Sequence, residues 1–320
     1  MDDLDKKLLL KLMSDCRASF RQLARDLGVT CPTVKRRVDL LVEAGIIGGF
    51  TVELSQATRG VGWAYAELTT DQSENRASLL EEICKHPATN ELFAVGSKNY
   101  IVFAELPIPD GIYDYGKFLR GLRGVETVDL FPVHNIANGN LSHRCKYASR
   151  GKRVRFTQHQ KKVLERLSND ARMSILDLSE KTGLKPKRIR RILRELEEGE
   201  GVHFTIRFNP CSENSICFIM KIAYNEIEHT PQEIVSWMEH EFPAEHWLSF
   251  MKLSEPVMIN YMTSDTLSRI ETIIRRMKGT SFVEDVETML IYHIQKPAEN
   301  GSLMSSESVA GETSMIQIQV

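Results

Sequence analysis

The stretch from Ser19 to Ala44 reads SFRQLARDLGVTCPTVKRRVDLLVEA, and it carries the strongest structural signal in the chain. Ser19 is a typical helix N-cap and Gly28 a typical helix stop, so its first part predicts a short helix. Thr30 then caps a second helix that begins near Pro32, a residue that the first helical turn accepts. A short helix, a glycine turn and a longer basic helix are the pattern of a helix-turn-helix motif.

The same pattern recurs 155 residues later in the chain. The segment from Lys6 to Glu43 aligns without gaps with the segment from Lys161 to Glu198. Identical pairs in this alignment include Leu9/Leu164, Leu12/Leu167, Asp15/Asp170, Arg17/Arg172, Ser19/Ser174, Leu23/Leu178, Gly28/Gly183, Arg36/Arg191 and Leu41/Leu196. The period is too long for a solenoid repeat and indicates that half of the protein is duplicated.

Each motif is followed by the same alternation of strands and helices. In the first copy we expect strands at 63–68, 91–95, 100–106 and 125–133 and helices at 76–85 and 113–122. In the second copy we expect strands at 216–223, 247–252, 257–262 and 282–293 and helices at 231–241 and 266–277. The order βαββαβ predicts an α+β fold with tandem winged helix-turn-helix domains, each followed by a ferredoxin-like domain.

These elements divide the chain into six expected segments. They are a helix-turn-helix domain at 1–54, a ferredoxin-like effector and oligomerisation domain at 60–136, a basic linker at 143–155, a second helix-turn-helix domain at 156–208, a second ferredoxin-like domain at 214–295 and a tail at 297–320. The tail is rich in Ser, Glu and Gly, a composition typical of disorder. Its last five residues alternate like a strand, so pairing at a sheet edge stays open.

Composition narrows the class of protein. With 320 residues, 42% hydrophobic and 26% charged, the chain has the balance of a soluble globular protein. We expect no membrane partner, because no apolar run approaches the roughly 18 residues that span a bilayer. The six cysteines are scattered and include no CxxC pair. This argues against a zinc site and a disulfide framework and fits a reducing cytoplasm.

Positive charge is concentrated in one part of the chain. Residues 150–210 hold sixteen Lys/Arg against eight Asp/Glu, a net charge of +8, whereas residues 211–320 have a net charge of −9. Phosphate neutralisation requires clustered Lys and Arg, so a polyanion such as double-stranded DNA is the expected partner.

Recognition helices place their N-terminal residues at base edges and their flanks near phosphates. A further helix that carries Leu8, Leu9 and Leu12 is expected before Ser19, so the longer basic helix is the third of its domain. We therefore expect DNA contacts from exposed positions on the third helix of each domain: Thr30, Thr33, Lys35, Arg36, Arg37, Lys185, Lys187, Arg188, Arg190, Arg191 and Arg194. Arg36 and Arg191 coincide in the repeat, whereas Ile192 replaces Arg37. Arg36 and Arg191 are thus the strongest candidates.

At these residues the chain resembles the Lrp/AsnC family, the feast/famine transcription regulators. The resemblance is carried by Leu4–Leu9, Asp15–Arg17, Leu23–Val29 and Val34–Ile47, and it is closer over 1–134 than over 157–293. It implies a helix-turn-helix joined to a βαββαβ domain, and assembly into a homodimer or a higher even oligomer. Members usually carry one such unit per chain, whereas this chain carries two.

The resemblance also implies where an amino acid or another small-molecule effector would bind. Family members that sense amino acids use the loop between the second and third strands of the βαββαβ domain. In this chain that loop is Gly96, Ser97, Lys98, Asn99 and Tyr100. It lacks the acidic residue that could pair with an amino group.

Sequence motifs for catalysis are missing. There is no GxGxxG, Walker, HExxH or GxSxG sequence, so we expect no enzyme activity, metal or cofactor. One enzyme alternative stays open, because siroheme decarboxylases are similar to this family and fused two-copy versions reach about this length. That alternative requires His and Arg around a tetrapyrrole, with Arg120, Arg123 and His134 as candidates. The basic third helices favour the regulator, since decarboxylation has no need of them.

Overall fold

A computed structural model describes residues 1–136, 153–209, 211 and 215–296. The tail expected at 297–320 and most of the expected basic linker lie outside the described residues. Within them, the chain contains two copies of the same arrangement, the first copy at 1–136 and the second at 156–296. Across the described ranges, no helix combines the length and the apolar character that crossing a bilayer requires.

The elements follow the predicted order. The first copy contains α1 (Asp3–Ser14), α2 (Phe20–Leu27), α3 (Cys31–Glu43), β1 (Ile47–Leu54), α4 (Gln56–Arg59), β2 (Gly62–Thr70), α5 (Arg76–Lys85), β3 (Thr89–Ala94), β4 (Asn99–Leu106), α6 (Asp110–Arg120) and β5 (Val125–Ile136). The second copy contains α7 (Gln158–Leu167), α8 (Ile175–Thr182), α9 (Pro186–Glu198), β6 (Val202–Phe208), β7 (Ile216–Tyr224), α10 (Pro231–Glu241), β8 (His246–Lys252), β9 (Val257–Ser264), α11 (Leu267–Lys278), β10 (Val283–Leu290) and β11 (His293–Gln295).

One expected element is wrong. We predicted a single strand over 282–293, but the structure has two strands, β10 and β11, separated by Ile291 and Tyr292. The break lies where the chain passes from one partner to the other: β10 pairs with β7 of its own copy, and β11 pairs with β3 of the first copy. At the break, the amide of Ile291 donates to the carbonyl of Cys217, and the amide of Tyr292 donates to that of Ala94. The equivalent strand β5 pairs with β2 and with β8 without a break, so the two copies differ at this point.

The strands β1 and β6 are the wings of the two motifs, and they pair with each other. They form an antiparallel two-stranded sheet in which Thr51 lies opposite Thr205. Contacts on either side of this pair are reciprocal. The amide of Cys16 donates to the carbonyl of Phe204 at 3.1 Å, and the amide of Ala171 donates to the carbonyl of Phe50 at 2.9 Å. The two copies are therefore related by a pseudo-twofold axis through the Thr51–Thr205 pair.

The two ferredoxin-like domains join into one nine-stranded sheet. Its strand order is β10-β7-β9-β8-β5-β2-β4-β3-β11. The junctions obey the same pseudo-twofold axis: on β5, His134 lies opposite Met251, and on β11, His293 lies opposite Ala94. The two copies in one chain are thus joined by strand pairing at both junctions.

Aromatic side chains fill the space where the two ferredoxin-like domains face each other. The ring centroids of Phe103 and Phe250 are 5.1 Å apart, and those of Phe93 and Tyr261 are 5.7 Å apart. These residues belong to a continuous core that also contains the buried helices and wings of both helix-turn-helix motifs. Burial of this apolar surface holds the two copies together.

The structure contains a disulfide, which we did not predict from the sequence. Cys211 and Cys217 form a disulfide, although their spacing in the sequence did not suggest one. Their Cα atoms lie 5.8 Å apart, a separation that a disulfide can bridge. Cys16, Cys31 and Cys84 are free.

Candidate nucleic-acid interface

The helix α3 begins as the sequence predicts. Thr30 is the N-cap, its hydroxyl accepts from the amide of Thr33 at 3.3 Å, and the two hydroxyl oxygens are 2.8 Å apart. Buried residues on one side of the helix direct Lys35 and Arg36 into solvent. Thr30 is exposed and Thr33 half-buried. The N-terminal half of α3 therefore presents hydroxyl groups and two cations.

Arg37 does not lie on this exposed surface, contrary to our expectation. Its guanidinium donates to the carboxylates of Asp2 at 2.7 Å and Asp5 at 2.6 Å, near the start of α1. Its side chain is 22% exposed. The equivalent residue in the second copy, Ile192, is completely buried. This position faces α1 or its equivalent, so Arg37 stabilises the motif and its positive charge is already paired.

On α9 the basic residues form a stripe. Lys187, Arg190, Arg191 and Arg194 are exposed and follow the i, i+3, i+4, i+7 spacing of one helix face. The opposite face is apolar and buried and consists of Ile189, Ile192, Leu193 and Leu196. This alternation is what an amphipathic helix with one solvated face requires.

The first turn of α9 differs from that of α3. Lys185 occupies the N-cap position and, within the described part of the chain, makes no side-chain capping bond. Arg188 is half-buried. Arg191 donates to Glu195 at 2.7 Å, and this hydrogen bond lowers the pKa of the Glu195 carboxyl. Such exposed pairs contribute little free energy, so Arg191 can exchange the carboxylate for a phosphate.

Reciprocal arginines fix the position of one motif against the other. Arg17 donates to the backbone carbonyl of Ala171, and the equivalent Arg172 donates to that of Ala18 at 3.1 Å. The Arg172 guanidinium also lies 4.4 Å from the ring centroid of Phe20. The repeat shows Arg17 and Arg172 as an identical pair, but the sequence did not indicate their role. They keep the two recognition helices at a defined separation.

Both motifs match known domains. Residues 1–42 match the AsnC-type helix-turn-helix domain, and residues 156–200 match a winged helix-turn-helix DNA-binding domain. An uncharacterized HTH-type transcriptional regulator of Pyrococcus abyssi is 28% identical over 135 residues, which cover 42% of this chain and 90% of that protein. The HTH-type transcriptional regulator Ptr1 of Methanocaldococcus jannaschii is 32% identical over 102 residues, which cover 30% of this chain and 69% of that protein. The chain belongs to the Lrp/AsnC family.

A solved structure matches this Lrp/AsnC chain over its whole length. It is the siroheme decarboxylase NirDL, with a TM-score of 0.59, 11% sequence identity and coverage of 97% of both chains. At this identity the likeness shows a shared fold and carries no information about shared chemistry.

The predicted effector loop lies between β3 and β4. Its residues come together as one turn, closed by a hydrogen bond from the amide of Val95 to the carbonyl of Asn99 at 3.0 Å. Ser97, Lys98 and Asn99 are exposed, and Gly96 is half-buried. Tyr100, in contrast, is buried against the helices of its own domain, and its hydroxyl donates to Glu74 at 2.9 Å. Burial and this carboxylate raise the pKa of Tyr100 to about 12.

The residues considered for a tetrapyrrole site do not converge. Arg120 lines an open cavity of about 400 Å³ with Tyr113 and Asp129, and neither Arg123 nor His134 lines it. Arg123 precedes β5, and His134 lies near the far end of that strand, about 30 Å away at the usual rise of a strand. All three are exposed. The structure therefore does not bring them into one pocket.

Proposed function

We propose that this Lrp/AsnC-family protein binds duplex DNA sequence-specifically through α3 and α9 and regulates transcription, without catalysing a reaction. The observation that carries the proposal is the pair of equivalent helices with exposed cations, Lys35 and Arg36 on α3 and the stripe on α9, held together in one chain. Charge clustered on two such helices is the arrangement that DNA binding requires.

Binding would depend on electrostatics. Lys and Arg side chains that neutralise phosphates release counterions from the duplex, so affinity falls steeply as salt rises. The stripe on α9 supplies most of this charge. Because the arginine contacts between the motifs are internal to the chain, one chain would present two recognition helices without needing a partner.

Assembly and control are further parts of the proposal. The family resemblance supports a homodimer or a larger even oligomer, which would present four helix-turn-helix motifs to DNA. Such contacts would use surfaces other than the sheet junctions β5–β8 and β3–β11, which already join the two copies. A small-molecule effector would bind at the exposed part of the loop, Ser97–Asn99, and the protein would act in the cytoplasm.

A structural feature also supports the part of the proposal that the protein is not an enzyme. Aromatic rings occupy the space between the two ferredoxin-like domains, and the basic candidates for a tetrapyrrole site are dispersed. A decarboxylase would need a shared pocket that these residues line.

Fluorescence anisotropy tests the proposal. The full chain is titrated with duplex DNA from its own upstream region, against scrambled competitor, at two salt concentrations. We expect tight, salt-sensitive binding that is weakened by Arg36→Glu and by Arg191→Glu, since each change places a negative charge next to phosphate. The matched control is Lys85→Glu, which makes the same change of charge sign at an exposed residue on α5, outside both helix-turn-helix motifs.

If the protein did not bind duplex DNA at low salt, the proposal that it is a transcription regulator would be refuted. The same protein would then be mixed with a tetrapyrrole and examined by absorbance spectroscopy, because a bound macrocycle would favour the enzyme alternative.

A further inference from the structure

We infer that α3 and α9 recognise chemically different half-sites, so that the DNA segment bound by one chain is not a palindrome. The inference rests on the proposed function and adds the chemistry of the DNA ligand. The pseudo-twofold axis through Thr51 and Thr205 gives every position on α3 an equivalent on α9. A palindromic site suits two helices only when their equivalent side chains match.

The stripe of four basic residues on α9 can only donate hydrogen bonds. Lys187, Arg190, Arg191 and Arg194 together carry four positive charges, and neither ammonium nor guanidinium groups accept hydrogen bonds. Such groups bind phosphate oxygens of any sequence, and among base edges they favour the acceptors of guanine. They cannot accept from the amino groups of adenine or cytosine. This face therefore provides charge with little discrimination.

The equivalent face of α3 has a different composition. Its residues are Pro32, Lys35, Arg36 and Asp39, so the net charge is only +1 and one member is a carboxylate that accepts hydrogen bonds. Lys35, Arg36 and Asp39 are exposed. A carboxylate beside phosphate reduces general affinity for DNA, but it can accept from the amino group of cytosine. This face of α3 therefore carries less positive charge than that of α9, but it can distinguish one base from another.

The first helical turns differ in the same sense. This turn lies closest to the bases in a helix-turn-helix complex. In α3 it carries the hydroxyls of Thr30 and Thr33, which both donate and accept. In α9 the equivalent positions are Lys185 and Arg188, which only donate. The exposed faces and the first turns therefore both indicate that α3 reads the bases and that α9 binds phosphates.

Selection from a random duplex library tests the inference on the full chain. We expect a consensus with one conserved half-site and, about 10 base pairs away centre to centre, a second region with little or only guanine preference. A consensus in which these two regions are equal inverted half-sites would overturn the inference and leave the proposed function intact. Failure to bind any duplex at low salt would overturn both.

Reciprocal exchange at one pair of equivalent positions gives a second test. Asp39→Arg gives α3 the charge of α9, and Arg194→Asp gives α9 the carboxylate of α3; both positions are exposed, so the fold tolerates either change. We expect Asp39→Arg to reduce the preference for the selected site over scrambled DNA while it steepens the slope of log affinity against log salt by about 1. We expect Arg194→Asp to make that slope shallower and to leave the selected consensus unchanged. Loss of the consensus in Arg194→Asp, with the consensus kept in Asp39→Arg, would overturn the inference.

Discussion

Glu67 and Lys221 occupy equivalent positions in the two copies and form an ion pair with each other across the pseudo-twofold axis. Glu67 lies opposite Asp129 on the neighbouring strand, and Lys221 lies opposite Glu287 in the same way. The Lys221 ammonium donates to both carboxylate oxygens of Glu67, at 2.9 and 3.1 Å, and to Glu287 at 2.8 Å. In a symmetric dimer this position would face its own copy and bring like charges together. The two copies have diverged so that each stabilises the other.

The ion pair predicts a charge-exchange result. Glu67→Lys places two ammonium groups together and should reduce the free energy of unfolding by about 1.5–3 kcal/mol, because both side chains are half-buried. The double variant Glu67→Lys/Lys221→Glu should regain part of this loss. Urea denaturation of the wild type, both single variants and the double variant measures the coupling. Additive losses would contradict the pairing.

Lys6 predicts a gain of stability at alkaline pH. Its ammonium is buried, donates to the backbone carbonyl of His246 at 2.6 Å and lies 4.6 Å from the ring centroid of Trp247. Burial lowers the pKa of Lys6 from 10.5 to about 8. Between these two values the unfolded chain binds more protons than the folded one, so stability rises with pH across this window.

The comparison that isolates this effect is with Lys6→Met, which keeps the apolar side chain and does not titrate. From pH 8 to 10 the wild type should gain stability relative to the variant, up to roughly 3 kcal/mol. The measurement is chemical denaturation of both proteins over this range. Parallel pH profiles would show that the folded state binds the Lys6 proton as firmly as the unfolded chain does.

Local signals in the sequence were sufficient for most of the elements. The helices predicted at 76–85 and 231–241 are confirmed with the same bounds, because Asn75 and Thr230 cap their N-termini through their own side chains. The helix-turn-helix order and the ferredoxin-like domains follow from the same kind of signal. These features depend on residues close together in the chain.

The relationships between the copies could not be predicted in this way. The pairing of β1 with β6, and of β11 with β3, joins segments far apart in sequence, and no local pattern indicates a partner. Arg37 shows the consequence for the candidate site. It borders the buried side of α3, and only the position of Asp5 on α1 reveals that its charge is already paired. In the sequence, only Ile192 at the equivalent position of the repeat set Arg37 apart from Arg36.

His246 predicts a loss of stability in mild acid. Its ring is completely enclosed, with Nε2 2.7 Å from the hydroxyl of Ser249. Burial, together with the positive charge of Lys6, lowers the pKa of His246 from 6.5 to about 3. The unfolded chain therefore binds a proton that the folded chain excludes, and stability falls as pH decreases from 6.5 towards 3.

The variant His246→Gln removes this titration and keeps a polar side chain at the position. Between pH 7 and pH 5 the wild type should lose about 2 kcal/mol more than the variant in the free energy of unfolding. Denaturation with urea at the two pH values measures the difference. Equal losses in the two proteins would show that other groups cause the acid sensitivity.

The neighbours Arg36 and Arg37 predict opposite results from the same substitution. Arg37→Ala removes the pairing with Asp2 and Asp5 and should lower the free energy of unfolding by about 1 kcal/mol, whereas the affinity of the folded protein for DNA should not change. Arg36→Ala removes an exposed cation, so stability should stay within about 0.5 kcal/mol and DNA affinity should fall about 5- to 100-fold. Thermal denaturation and anisotropy on the same preparations measure both quantities. The opposite result, in which Arg37→Ala weakens DNA binding and Arg36→Ala reduces stability, would contradict this assignment. It would show that α3 contacts DNA through the face that carries Arg37.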